Sequence, residues 1–111
     1  MSKITDDLME RMVRLILEEV DPEKVILFGS RARGDHHEHS DVDLIVIEAE
    51  PFGRGRSRHE EMCRLYDALS PLRVTADILV YSLDDVDYWR DSLNHVLARA
   101  LREGRVLYER P

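Results

Sequence analysis

Two short apolar runs, joined by a polar connection, constrain the fold of this chain more than any other feature. The first run, residues 25–28, ends at Gly29-Ser30, and after ten intervening residues Asp41-Val42-Asp43 opens the second run, residues 41–48. Apolar runs of this length, bounded by turn residues, predict buried strands. Alternation along the second strand puts Asp41 and Asp43 on one face. The pattern predicts a tight turn after one strand and a carboxylate pair at the start of the next.

The Gly29-Ser30 turn has the residue types of a phosphate-binding turn. Gly29 allows a tight turn and a close approach of the backbone to a phosphate. Ser30 offers a hydroxyl group at a helix start, where backbone N–H groups bind anions. An ordinary N-cap is the alternative role of Ser30. Arg33, and less strongly Arg31, could stabilise phosphate charge, although such arginines are more often surface or partner-facing.

Three aspartates lie in runs that are otherwise apolar. Asp41 and Asp43 repel each other unless a cation binds them, and Mg²⁺ favours one or two carboxylates together with phosphate oxygens. A solvated pair at a wet strand end is the alternative. Asp77 lies inside a third apolar run, residues 74–80. If that strand neighbours the second, three carboxylates converge as in two-metal phosphoryl transfer, with Asp77 a metal ligand or the base. Its alternative role is to cap a turn or pair with an arginine.

The rest of the chain predicts helices interleaved with strands. Apolar residues at helical spacing predict a first helix over residues 4–20, a second over 62–69 and a last over 93–101. Residues 73–81 and 106–108 are predicted as further strands. Ser82, with Asp85 three positions later, predicts a helix N-cap, and Gly104 a C-cap. This order indicates a mixed α/β or α+β domain.

Composition limits the classes of function. The 111 residues predict a single domain over 1–111, without room for a second module that grips a polymer. The net charge of -7 disfavours direct nucleic-acid binding, which normally needs a basic face, but admits nucleotides chelated to a divalent cation. The chain has one cysteine, a polar N-terminus and no apolar run of membrane-spanning length. We therefore expect a cytoplasmic protein with no membrane contact.

Three other groups of residues carry weaker signals. His36, His37 and His39 with Glu38 are too crowded on a polar loop to favour a zinc site, so a solvated loop is expected. Cys63 is expected to pack among helical residues. Arg54, Arg56 and Arg58 form a short basic stretch. It is also expected to be a solvated loop, with nucleotide or partner contact as the alternative. Core or interface positions are expected for Tyr88, Trp89 and Tyr108.

The segment from Gly29 to Ile47, with Asp77 downstream, resembles the minimal nucleotidyltransferase family of the DNA polymerase β-like nucleotidyltransferase superfamily. That family combines Gly-Ser, about ten residues, Asp-x-Asp and a third Asp on a later strand. About 20 residues carry the specific signal. The resemblance implies an α+β fold with a small mixed β-sheet and helices packed mainly on one face. It also implies Mg²⁺ in a two-metal site and ATP as substrate. Gly29, Ser30 and Arg33 would bind the nucleotide, and the metal-binding catalytic residues would be Asp41, Asp43 and Asp77.

The resemblance also implies a partner protein. Many short members, the MntA-type antitoxins, are paired with a helical HEPN toxin, and several transfer AMP from ATP to a tyrosine of that toxin. A protein adenylyltransferase acting as an antitoxin is therefore the leading hypothesis, with a homo- or hetero-oligomer possible. The alternative is a non-catalytic antitoxin that neutralises its partner by occlusion; Asp43→Ala would leave neutralisation intact only in that case.

Two further enzyme classes are weaker hypotheses. Nucleotidyltransferases that modify aminoglycosides usually carry an extra helical domain for the acceptor, for which this chain has no room. Addition of nucleotides to RNA 3′ ends is disfavoured by the acidic balance of the chain.

Overall fold

The structure is a computed structural model that describes residues 2–29, 32, 34, 41–53 and 55–111, with residues 2–6 described in their backbone only. The first helix, α1, spans Ser2–Glu19. Its apolar positions recur at helical spacing, and Met9, Met12 and Ile16 are buried against the sheet. The predicted first helix is confirmed, because α1 ends just before Asp21-Pro22, where proline cannot continue it.

A mixed sheet of four strands forms the centre of the described structure. The strands are β1 (Lys24–Phe28), β2 (Val42–Glu48), β3 (Ala76–Ser82) and β4 (Arg105–Glu109), in the order β3-β2-β1-β4. β1 pairs antiparallel with β2 and β4, whereas β2 and β3 are parallel. The predicted α+β fold with a small mixed sheet is confirmed.

The third strand begins later than its apolar pattern predicts. A 3₁₀ turn, Ser70–Leu72, follows the preceding helix, and Arg73 then adopts a left-handed conformation with φ of 54°. A residue in that conformation cannot belong to a strand, so β3 starts at Ala76 and the prediction of Arg73 as its first residue is wrong.

Both faces of the sheet carry helices. The longer helices, α1 and α2 (Arg58–Leu69), lie on one face over the larger part of the core. The short helices α3 (Leu83–Trp89) and α4 (Val96–Glu103) lie on the other face. Successive residues of β2 alternate between the two: Leu44 and Val46 face α1 and α2, while Ile45 and Ile47 face α3 and α4. None of the helices in the described part of the chain is long and apolar enough to cross a membrane.

The helix ends follow their capping residues. Ser82 and Asp85 form the predicted capping box at the start of α3. The last helix starts at Val96 with His95 as its N-cap, so the prediction that Leu93 belongs to it is wrong. Gly104 ends α4 as predicted, and a Cβ there would lie 2.6 Å from the Ala100 carbonyl oxygen.

Candidate active site

The turn after β1 brings the backbone against a carboxylate of β2. Gly29 adopts a φ of +76°, a conformation that other residues rarely take. A Cβ built there would lie 3.2 Å from the carboxyl carbon of Asp43, and closer still to its Oδ2. The position therefore requires glycine twice over, once for the backbone conformation and once for the contact with Asp43.

Two of the three aspartates are placed by the start of β2. Val42 is buried towards α1 and α2, and its N–H donates to the Thr75 carbonyl oxygen at 2.9 Å. Alternation then directs Asp43 to the opposite face, that of α3 and α4. Asp43 is half-buried, whereas Asp41, which immediately precedes the strand, is exposed.

The third aspartate lies on the neighbouring strand at the same level. Asp77 on β3 is the register partner of Asp43 on β2, and the strands are parallel, so both side chains leave the same face. Neighbouring strands lie about 4.8 Å apart. Phe28 on β1 is the antiparallel partner of Asp43. A row across three strands therefore places the Gly29 turn, Asp43 and Asp77 side by side.

A tyrosine fixes the backbone beside Asp77. β3 is an edge strand, and the N–H of Ile78 donates to the Tyr66 hydroxyl of α2 at 2.9 Å. The sequence marks Tyr66 only as a position within the second predicted helix. The role of its hydroxyl group can be inferred only once α2 is known to pack beside the edge of β3.

A cavity of about 190 Å³ adjoins the Gly29 turn and extends to α4. Arg99 and Glu103 border it, 4.0 Å apart as an ion pair, together with Phe28 and Ala100. Arg99 thus places a cation beside the turn. Nothing in the sequence distinguishes Arg99 from an ordinary surface arginine on an amphipathic helix.

The three aspartates can be compared with the ligands that a metal ion needs. No group of three or more histidine, cysteine or acidic side chains in the described residues has the arrangement of a metal site. The structure brings Asp43 and Asp77 to neighbouring register positions and leaves Asp41 and Asp77 exposed. Mg²⁺ usually binds proteins through one or two carboxylates, completing its shell with water and phosphate oxygens. Carboxylates open to solvent beside the Gly29 turn therefore fit Mg²⁺ carried with a nucleotide.

Several residues predicted from sequence lie outside the described residues. They are Ser30, Arg31, Arg33, Arg54 and the His36/His37/His39 loop. Ala32 is helical and Gly34 lies in a turn. Cys63 is exposed, with its Sγ atom 3.6 Å from Nε2 of His59 one helical turn away. The prediction that Cys63 is a packing residue is wrong, because it lies on the outward face of α2.

Two arginines of the basic stretch, Arg56 and Arg58, are not freely solvated. Two backbone hydrogen bonds between Gly53 and Arg56 close the loop. Arg56 donates to Glu48 at 2.7 Å and lies 4.3 Å from the centre of the Phe52 ring. Arg58 donates to Asp85 at 3.1 Å and to the Val80 carbonyl oxygen. Both arginines tie the loop to the sheet, and the prediction of a solvated loop is wrong for them.

A buried carboxyl pair lies at the far end of β2. Glu48 and Glu61 are both buried, and Arg56 contacts each of them. Burial, with a hydrogen bond to Glu61, raises the pKa of Glu48 to about 7, although Arg56 opposes the shift. The carboxyl group of Glu48 is therefore partly protonated near neutral pH. This pair could not be predicted from the sequence, because nothing local marks either glutamate as buried.

Comparisons with known proteins indicate the family of this chain. The family model described as "Polymerase beta, Nucleotidyltransferase" matches residues 10–111. A protein of Methanocaldococcus jannaschii, provisionally named a protein adenylyltransferase, is 30% identical over 87 residues, which are 77% of each chain.

Three solved structures share the fold. A toxin–antitoxin crystal structure with AMP-PNP is 23% identical with a TM-score of 0.57, covering 92% of this chain and 73% of that one. A mutant MntA–HpeT toxin–antitoxin complex is 20% identical with a TM-score of 0.58 and the same coverage. A provisionally named nucleotidyltransferase of Sulfolobus solfataricus is 25% identical with a TM-score of 0.53, covering 94% and 86%.

Proposed function

Because the chain belongs to the polymerase beta nucleotidyltransferase family, we propose that it transfers AMP from ATP, with Mg²⁺, to a hydroxyl group of a partner protein. The acceptor is a tyrosine of a helical HEPN-type toxin, which the transfer inactivates. The relative provisionally named a protein adenylyltransferase and the fold shared with toxin–antitoxin complexes support this choice.

One observation carries the proposal. The Gly29 turn, Asp43 and Asp77 lie in one row across three adjacent strands, with the Asp43 carboxyl against Gly29. A turn that approaches phosphates and a carboxylate pair that holds their metal must be adjacent for nucleotidyl transfer. In this row the Gly29 turn is adjacent to Asp43, and Asp43 is adjacent to Asp77.

Each residue has a distinct role in the proposed reaction. Gly29 and Ser30 bind the triphosphate through backbone and hydroxyl groups, and Arg33 offsets its charge. Asp41, Asp43 and Asp77 would hold Mg²⁺, which lowers the pKa of the acceptor hydroxyl and stabilises the leaving pyrophosphate when bound. The hydroxyl oxygen forms a bond to the α-phosphorus while the bond to the bridging α–β oxygen breaks. The hydroxyl proton passes to a carboxylate oxygen, for which exposed Asp77 is the candidate.

The proposal is tested with α-phosphate-labelled ATP, Mg²⁺ and the purified product of the gene adjacent to this chain's own gene. We expect label on a tyrosine of that protein with the wild type and none with Asp43→Ala. The matched control is Asp67→Ala, which removes an exposed aspartate from α2 and leaves transfer unchanged.

Neutralisation of the partner is measured in the same samples. Transfer as the mechanism predicts that Asp43→Ala abolishes both label and neutralisation. If the partner is neutralised equally by both proteins and takes no label, the antitoxin acts by occlusion and the proposed transfer is wrong.

A further inference from the structure

The end of α3 and its connection to α4 display the two most exposed large apolar side chains among the described residues. Tyr88 is 78% exposed and Leu93 is 80% exposed. Trp89, between them, turns inward and packs with the core beneath α3 and α4. A surface leucine this exposed gains favourable burial whenever a partner covers it. We call the surface formed by Tyr88, Leu93 and the exposed Asp87 and Asp91 the α3–α4 surface.

The α3–α4 surface is held in shape by contacts behind it. The rings of Trp89 and His95 stack 4.0 Å apart at an angle of 10°, which joins the two ends of the connection. Between them, the Ser92 N–H donates to the Trp89 carbonyl oxygen at 2.9 Å. Arg102 of α4 donates to the carbonyl oxygens of Ser92 at 3.0 Å and Leu93 at 3.3 Å. Leu93 is thus presented outward on an ordered backbone, which reduces the entropy lost on binding.

The charge of this segment selects the kind of partner. Residues 82–95 contain four aspartates and one arginine. Asp84, Asp87 and Asp91 are exposed, and Asp87 forms an ion pair with Arg90 at 3.6 Å, while Asp85 is engaged with Arg58 and the α3 N-cap. The segment keeps an excess of negative charge, so two copies of such a surface would repel each other, whereas a basic surface would be attracted. Apolar anchors beside this acidic excess match a basic surface with an apolar pocket.

The same helix links this surface to the candidate active site. Arg102 anchors Leu93, and the next residue, Glu103, borders the cavity beside Gly29. α4 therefore holds the backbone of Leu93 through Arg102 and borders that cavity through Glu103, within one helical turn. A partner seated on the α3–α4 surface covers a segment that is held by a helix of the candidate active site.

We propose that the α3–α4 surface is the docking site for a partner protein that presents a basic surface around an apolar pocket. The inference rests on the proposed function in one respect: the partner is the protein that supplies the acceptor hydroxyl. The new element is the face of this chain that binds the acceptor protein.

The test measures the dissociation constant of the purified adjacent-gene product for variants of this chain. Leu93→Ser is expected to weaken binding at least tenfold. Leu17→Ser is the matched control, because Leu17 is a partly exposed leucine of α1 beside a different groove, and it is expected to bind within twofold of wild type. Binding of Leu93→Ser within twofold of wild type, or an equal loss in Leu17→Ser, overturns the proposal.

Charge is tested with a second pair of variants. Asp91→Lys is expected to weaken binding at least tenfold at low salt and to reduce its salt dependence, whereas Asp67→Lys on α2 leaves both within twofold. A wild-type protein that does not bind the product overturns the proposal. So does a wild-type dimer that Leu93→Ser dissociates, because the occupant is then a second copy.

Label transfer in the same samples separates this inference from the proposed function. Binding that Leu93→Ser weakens, without label transfer by the wild type, supports docking and contradicts adenylylation. Label transfer with Leu93→Ser binding as tightly as wild type contradicts docking and supports adenylylation.

Discussion

Asp43 and Asp77 are register partners on the parallel strands β2 and β3, and the carboxyl group of Asp43 also lies against Gly29. Asp43 is therefore the central member of the row, touching the turn on one side and neighbouring the second carboxylate on the other. Its half-buried position contrasts with the exposure of Asp77. We expect Asp43 to organise the site and Asp77 to face the acceptor.

Replacing Gly29 tests the contact between the turn and Asp43. Gly29→Ala is expected to reduce label transfer at least ~100-fold, because its Cβ would displace the carboxyl group of Asp43. Gly55→Ala is the matched control. Gly55 has a φ of +81° with open space around the Cβ position, so this variant has the same conformational cost of about 1 kcal/mol without a collision. Equal transfer by the two variants would show that the contact has no role.

Asp77→Asn tests the second carboxylate with almost no change in shape. We expect transfer to fall by about 10² to 10⁴, the range typical of a lost acid–base or metal-binding group. Asp77 is exposed, so the free energy of unfolding is expected to change by no more than about 0.5 kcal/mol. Rates are compared with Asp67→Asn, and transfer by Asp77→Asn at the rate of this control would remove Asp77 from the mechanism.

Tyr66→Phe tests the support of the β3 edge. The variant removes the acceptor for the Ile78 N–H and is expected to lower the free energy of unfolding by about 1 kcal/mol. Because the bond holds the backbone next to Asp77, kcat for transfer is expected to fall severalfold with little change in KM for ATP. Tyr88→Phe is the control for stability, since Tyr88 is largely exposed. Identical unfolding curves for the wild type and Tyr66→Phe would contradict this role.

The buried glutamate pair makes stability depend on pH. The pKa of Glu48 is raised from 4.5 to about 7 in the folded chain, so the folded state binds more protons between these values. Stability from this group is complete below pH 4.5 and is lost as the pH rises through about 7. Glu48→Gln imitates the protonated form and is expected to be more stable than wild type at pH 8, by on the order of 2 kcal/mol.

Thermal unfolding at pH 5 and pH 8 checks this prediction. The wild type is expected to lose more stability between the two pH values than Glu48→Gln does. Glu50→Gln, which changes an exposed glutamate that also faces Arg56, is expected to behave as wild type. If Glu48→Gln keeps the same pH dependence of stability as the wild type, other groups cause that dependence.

Features that depend on nearby residues were predictable from the sequence. The apolar runs determined β1 and β2, and the Ser82/Asp85 and Gly104 signals located the helix ends correctly. The carboxylate pair could be assigned to one strand face because alternation has a period of two residues. Each of these predictions needs only local chemistry.

Features that depend on distant pairing were not predictable. The alignment of Asp77 with Asp43 depends on a crossover through α2. From the sequence one can say only that the carboxylates converge if the third strand lies beside the second. The Tyr66 hydrogen bond and the burial of Glu48 beside Glu61 likewise arise from packing between separate elements. Leu93 was assigned to a helix because its apolar character fits the stripe, whereas the structure exposes it before the His95 cap.

We propose that Gly29, Asp43 and Asp77 form one site for a metal-bound nucleotide. The most direct measurement is the affinity of the chain alone for AMP-PNP, with and without Mg²⁺, by titration calorimetry. We predict Mg²⁺-dependent binding that weakens at least tenfold in both Asp43→Asn and Asp77→Asn and is unchanged in Asp67→Asn. Binding with equal affinity by all four proteins, or binding that needs no Mg²⁺, would contradict the claim.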